Sequence, residues 1–215
     1  MKIGVIGANG NLGSKLVKHA LENGFAVKAF VYHGNCQNLE VQEFERNLFD
    51  LTKDDLKDVD ILISAFGAGF KVDPIINQKA FKKYIELLKN TDKKLIAIAG
   101  AGSLYIDKNH NCFEYQSENH PKKLKEISKY ICLGVNEIEK DNSFNWTVVC
   151  PSRFFDLNGP YTGEYLIGED REIIYNDDKQ SYVTYEDLAR AMIDIAKNDL
   201  YYQKVITVAS KKGGQ

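Results

Sequence analysis

The chain of 215 residues carries 28 Lys and Arg against 30 Asp and Glu, a formal charge of -2, and 44% of it is hydrophobic, so it suits one domain with a sizeable core. That balance lacks the basic footprint of a nucleic-acid binder, and the cluster Lys122, Lys123 and Lys125 reads as a solvated helix face. Four scattered cysteines without a C-x-x-C pair speak against a zinc site or redox dithiol, and no apolar run nears the roughly 20 residues of a membrane span, so a soluble cytoplasmic protein with reduced thiols and no metal is expected.

The first expected element is the apolar run Lys2 to Ile6, which breaks into the glycines Gly7, Gly10 and Gly13. Strand, glycine turn and helix in this order read as the start of a dinucleotide-binding unit. Gly7 takes the tight turn, Gly10 lets the backbone approach a pyrophosphate, and Gly13 lets the helix pack close to the sheet. The phosphates then meet free N–H groups at the helix start. A plain structural turn is the competing reading, and the flanking strand and amphipathic helix favour the nucleotide site.

In the following helix Leu12, Leu16, Val17, Ala20 and Leu21 fall at helical spacing, and Asn23-Gly24 supplies a stop. Strands are expected at Ala26 to Tyr32, more weakly at Val41 to Leu48, and at Asp60 to Ala65, Lys94 to Ala99 and Trp146 to Cys150. Thr52 with Asp55 resembles a capping box over one short turn. Pro74 opens a helix to about Lys89 whose inward face is Ile75, Ala80, Phe81, Tyr84, Leu87 and Leu88. After a long irregular stretch from Gly100 to Asn119, Pro121 starts a helix with Leu124, Ile127, Ile131, Val135 and Ile138 on one face. The alternation predicts an α/β fold with a parallel sheet covered on both faces. From Pro151 to Val183 the rhythm becomes polar, glycine-punctuated and tyrosine-containing, which suggests a small substrate-side elaboration before Thr184-Tyr185-Glu186-Asp187 caps a last helix. The end, Lys211 to Gln215, reads as frayed.

Several segments, in order along nearly the whole chain, together resemble the NmrA-like branch of the atypical short-chain dehydrogenases/reductases, which includes NADH-flavin reductase-like proteins. They are Gly7-Ala8-Asn9-Gly10-Asn11-Leu12-Gly13, Ala65-Phe66-Gly67, Ala99-Gly100-Ala101-Gly102-Ser103-Leu104, Asn145-Trp146-Thr147-Val148-Val149-Cys150-Pro151-Ser152 and Gly163-Glu164-Tyr165. The resemblance implies one Rossmann-like, doubly wound, mostly parallel NAD(P)-binding domain over residues 1–215, with 151–183 as its substrate-side segment. It also implies NADP or NAD at the strand ends, with NADP favoured. Carried over, the backbone of Asn9, Gly10, Asn11 and Leu12 would hold the pyrophosphate. Asp50 and Leu51 would meet the adenine, and Ala65, Phe66 and Gly67 the adenosine side. Ala99, Gly100 and Ser103 would approach the nicotinamide, bordered by Pro151 and Ser152. Asp50 has a second reading, as a turn cap ahead of Thr52.

Two departures narrow the function. After the second strand stands Tyr32-His33-Gly34, where an NAD enzyme often has an acid and an NADP enzyme an arginine. His33 can meet the ribose, or be an exposed loop histidine. Tyr130 is followed four residues on by Gly134, where the wider family has the lysine that activates a catalytic tyrosine. Ser103 and Tyr130 are therefore candidates to orient an acceptor, with packing as the alternative for Tyr130. Ketone reduction needs a positioned acid, whereas a flavin or quinone spreads the incoming charge over its rings and takes its proton from water. The expected function is thus NAD(P)H-dependent hydride transfer to FMN, FAD, a quinone or a similar small conjugated acceptor. Tyr105, Phe113, Phe154, Phe155, Tyr161 and Tyr165 are expected over the nicotinamide or in ordinary loop packing. A non-catalytic NAD(P) sensor is one alternative and a sugar-nucleotide epimerase or dehydratase another. A monomer or homodimer, without nucleic-acid or membrane partners, is expected.

Overall fold

Short apolar strands alternating with amphipathic helices build a sheet with helices on both faces in the computed structural model, which describes residues 1–36 and 41–213. In chain order the elements are β1 (Lys2–Ile6), α1 (Asn11–Glu22), β2 (Ala26–Val31), β3 (Gln42–Glu45), β4 (Ile61–Ser64), α2 (Ile75–Leu88) and β5 (Lys94–Ile98). They continue with α3 (Lys125–Ile138), β6 (Asn145–Pro151), β7 (Phe154–Asp156), β8 (Tyr165–Gly168), β9 (Tyr182–Thr184), α4 (Tyr185–Asn198) and β10 (Lys204–Ser210). The large sheet has the order β3-β2-β1-β4-β5-β6-β10-β8, all parallel except the antiparallel edge strand β8. β7 and β9 pair separately in a two-stranded parallel sheet.

Strand residues alternate between two cores because successive side chains leave a strand on opposite faces. Ile3, Val5, Ile61, Ile63, Ile206 and Val208 pack with α1 and α4. Leu62, Leu95, Trp146 and Val148 pack with the α2 and α3 residues Phe81, Tyr84, Val135 and Ile138. Strands buried on both faces read as continuous apolar runs, which is why most of them are visible in the sequence.

The third strand is shorter than the expected Val41 to Leu48, because only Gln42–Glu45 pairs with β2. α3 starts at Lys125, after a 3-10 turn over Lys122–Leu124, so Pro121 ends a loop and does not open the α-helix. β10, for which the sequence reading has no counterpart, lies between β6 and β8. Within 151–183, β8 adds to the large sheet through pairs such as Tyr165 with Ser210. Gly214 and Gln215 of the expected frayed end lie outside the described residues. Among the described residues no helix is long and apolar enough to cross a membrane.

Fully buried Asp187 in the first turn of α4 ties the later segment down. Its carboxylate accepts from Thr162 N at 2.9 Å, Thr162 Oγ1 at 2.8 Å, Gly163 N at 3.0 Å and Ser210 Oγ at 2.6 Å. Thr184 caps the same helix by accepting from Asp187 N at 3.0 Å, as its motif predicts. Replacing Asp187 with Ala removes a charged acceptor and leaves the hydroxyl proton of buried Ser210 without its acceptor. Urea unfolding should show a loss on the order of 3 kcal/mol, with proteolysis gained near Thr162; an unchanged midpoint would contradict this anchoring.

Candidate functional site

The sheet order reverses at β1, with β2 on one side and β4 on the other, and in open α/β sheets ligands bind outside the strand ends at such a point. The turn after β1 is built for close approach. Gly7 has φ +71°, its N–H donates to Phe30 O at 3.0 Å, and a Cβ on it would lie 3.2 Å from Ala65 O. A Cβ on Gly13 would lie 1.9 Å from Gly7 O, so only glycine lets α1 sit this close. Gly10 precedes the helix and no side chain caps it, and the helical ladder begins with Ser14 N on Gly10 O at 2.9 Å. Gly10 N already donates to Gly7 O at 2.9 Å, and the N–H groups of Asn11, Leu12 and Gly13 are those an anionic pyrophosphate would use. Asn9 spends its side-chain amide on His33 O at 2.6 Å, bracing the end of β2 against this turn.

Beside the turn lies a cavity of about 330 Å³ lined by Gly7, Gly10, Tyr32, Arg46, Phe49, Phe66, Gly67 and Val72, among others. Phe49 and Phe66 meet edge-on with ring centroids 6.0 Å apart. Phe66 N donates to Ser64 Oγ at 3.2 Å, and that hydroxyl lies 2.6 Å from the buried Tyr84 hydroxyl, whose pKa burial raises. A planar, weakly polar ring such as adenine suits a pocket of this kind. Ala65 and Phe66 are half-buried beside it and Gly67 is exposed. Leu51, by contrast, is 1% exposed and belongs to the core, so its side chain does not reach a ligand. Asp50 does not act as the cap: Asn47 Oδ1 accepts from Phe49 N at 3.0 Å, and Thr52 with Asp55 forms the expected box. Instead Asp50 lines a polar cleft of about 620 Å³ with Tyr32, His33, Glu45, Arg46 and Asp55.

At the ends of β5 and β6 the expected groups divide. Ala99 and Gly100 are half-buried at the end of β5. Ser103 is 0% exposed and its Oγ has no hydrogen-bond partner, whereas its N–H donates to Gly100 O at 2.9 Å and its carbonyl accepts from Arg171 Nε at 2.8 Å. This corrects its expected role beside the acceptor, because the turn Ala101–Ser103 folds the hydroxyl under the surface. Pro151 and Ser152 are buried, and Ser152 Oγ donates to Val208 O at 2.9 Å. Tyr130 is half-buried on α3, with Lys129 Nζ 5.6 Å from its ring. One turn on, a Cβ at Gly134 would lie 2.4 Å from Phe81 Cδ2. The contact between α2 and α3 therefore leaves no room for a lysine side chain at that position.

Most of the expected aromatic cover lies elsewhere. Tyr105 stacks between His110 and Phe113, at 4.4 and 4.5 Å, over the buried Arg171. Phe155 stacks on Tyr185 at 3.7 Å. Tyr161 packs 5.4 Å from His19 of α1, and Tyr165 donates its hydroxyl to Asp194 of α4 at 2.9 Å. These two side chains are held on the α1 and α4 side because Asp187 draws their loop that way. Phe154, 62% exposed, remains a rim residue.

Chemistry-bearing groups without a place in the sequence reading gather near β5 and β6. Arg153 follows Ser152 and binds the buried Glu114 at 2.7 Å and the Tyr175 hydroxyl at 3.3 Å, which raises its pKa. His120 Nε2 lies 3.0 Å from Ser128 Oγ, and burial lowers its pKa, which favours the neutral ring. Only their position in the long stretch after β5 could have drawn attention to Glu114 and His120.

A family described as NAD(P)H-binding matches residues 7–199. The uncharacterized protein YwnB of Bacillus subtilis (strain 168) is 31% identical over 213 residues, covering 98% of this chain and 99% of that protein. The crystal structure of SP1627 from Streptococcus pneumoniae TIGR4, described as a candidate NADH-flavin reductase, is 30% identical with a TM-score of 0.91, covering 98% of this chain and all of that one. A candidate epimerase from Bacteroides thetaiotaomicron is 25% identical with a TM-score of 0.82, covering 100% of this chain and 99% of that one.

Two substitutions test the glycine contacts. Gly13→Ala should lift α1 off the turn and abolish NAD(P)H binding measured by nicotinamide fluorescence. Gly134→Lys, which restores the family spacing to Tyr130, should cost about 1–3 kcal/mol or more in urea unfolding through overpacking against Phe81. A stable Gly134→Lys protein with retained α2–α3 packing would contradict this reason for the missing lysine.

Proposed function

The chain belongs to the NAD(P)H-binding family within the atypical short-chain dehydrogenases/reductases, and from that premise we propose an NAD(P)H-dependent oxidoreductase whose acceptor is a flavin, a quinone or a similar conjugated ring. When bound, the reduced nicotinamide supplies a hydride. The backbone of Asn9, Gly10, Asn11 and Leu12 holds the pyrophosphate, the pocket lined by Phe49 and Phe66 takes the adenine, and Ala99, Gly100 and Pro151 border the reacting end. Arg153, held by Glu114, offers a cation at the mouth where charge gathers on a reduced acceptor. Phe154 and Tyr175 supply exposed faces on the same rim.

The observation that carries this reading is the packing of Gly134 on Phe81, which leaves Tyr130 without a lysine one turn on to activate it. Chemistry that needs a strong protein acid, such as ketone reduction or sugar epimerisation, is disfavoured, although one structural relative is described as a candidate epimerase. Acceptors that delocalise charge are favoured, and the description of SP1627 agrees. The same packing suits a non-catalytic NAD(P) sensor of NmrA-like type, and turnover separates the two.

Purified protein should oxidise NADPH or NADH, followed by nicotinamide absorbance, only when FMN, FAD or a quinone is added. Tyr130→Phe should leave kcat nearly unchanged, far from the roughly 100-fold loss or more expected of a removed general acid. Cofactor binding with no acceptor-dependent oxidation across flavins and quinones would overturn the enzymatic reading in favour of the sensor.

A further inference from the structure

Sequence alone offers neither an arginine nor an acid after β2, yet the fold brings an arginine there from the next strand. The β2–β3 register pairs Val31 with Glu45, and Arg46 N donates to Val31 O at 2.8 Å, so Arg46 stands beside Tyr32 just past the strand ends. Tyr32 and Arg46 both line the apolar 330 Å³ pocket and the polar 620 Å³ cleft, at the boundary between them. If adenine fills the first, its ribose lies at that boundary, with the 2′ position toward the polar side. We propose that Arg46, delivered by β3, binds the ribose 2′-phosphate and makes the chain prefer NADPH over NADH. This rests on the dinucleotide reading above and goes beyond it by choosing the cofactor.

The Arg46 side chain is 52% exposed, and its nearest acid, Asp55, lies 3.7 Å from Nε. Asp55 is already engaged by Thr52 N at 2.9 Å and Thr52 Oγ1 at 2.8 Å. Of the two terminal nitrogens, Nη1 has a 3.4 Å contact with the Glu45 carbonyl and Nη2 makes no hydrogen bond among the described residues. A guanidinium presents these nitrogens as a fork that matches a phosphate. Glu45 and Asp50 also face the cleft and oppose an anion, with Glu45 Oε1 lying 3.6 Å from His33 Nδ1. Tyr32 and His33 line the same cleft and add donors there.

The test is binding, independent of turnover. Titrations of the full chain with NADPH, NADH and the fragment 2′,5′-ADP should show NADPH binding at least about tenfold tighter than NADH. Arg46→Gln should erase the difference by weakening NADPH and 2′,5′-ADP alone, and added salt should weaken NADPH more than NADH. Because Arg46 is exposed, thermal unfolding of the variant should match the wild type and rule out a folding effect. Equal affinities in the wild type, a preference for NADH that Glu45→Gln removes, or equal weakening of both cofactors by Arg46→Gln would overturn the inference while leaving the dinucleotide reading intact. Binding of neither cofactor would overturn both.

Discussion

The contact between Gly7 and Gly13 governs the rest of the site. With the Gly7 carbonyl 1.9 Å from where a Cβ of residue 13 would stand, α1 packs against the turn as only two glycines permit. That approach places the uncapped helix start at the reversal of strand order. It also leaves Gly7 free to donate to Phe30 O, and Asn9 to brace the loop at His33, so β1, α1 and β2 are tied at one corner. Backbone dipoles aligned by this packing would serve an anionic phosphate without any charged side chain in the turn.

A second glycine contact has the opposite chemical effect. At Gly134 the missing side chain serves the packing of α3 on Phe81 of α2. Space that an activating lysine would need is here filled by an aromatic ring. One close approach thus shapes the candidate cofactor site, and the other removes a standard means of making a tyrosine acidic. Together they favour a reaction whose charge is absorbed by the acceptor, with the protein supplying position and Arg153 supplying a cation.

Local patterns made part of this legible. The glycine turn, the apolar runs of β1, β2, β4, β5 and β6, and the Thr184 cap each lie within a few residues, so the sequence displays them directly. What depends on distant pairing was hidden. β10 and β8 need each other to complete the sheet, and Arg46 reaches the end of β2 only through the β2–β3 register. Ser103 looked like an active-site hydroxyl because of its neighbours in the chain, but the 3-10 turn that follows Gly100 directs it inward. Leu51 shared the same fate: a position next to the site, with a side chain needed by the core.

The tyrosines of the later segment show how one buried acid can decide where a loop goes. Thr162 and Gly163 are drawn onto Asp187, Tyr161 onto His19 and Tyr165 onto Asp194, all on the α1 and α4 side of the sheet. A carboxylate taken from water must find donors, and this one finds three of its four in the loop. With those groups held there, the rim beside β6 is left to Arg153, Phe154 and Tyr175. Such an edge offers aromatic surface and one paired cation and makes few directional demands. A broad planar ring meets those demands more readily than a sugar with many hydroxyls, since unpaired hydroxyls would be penalised and a flat apolar face would not.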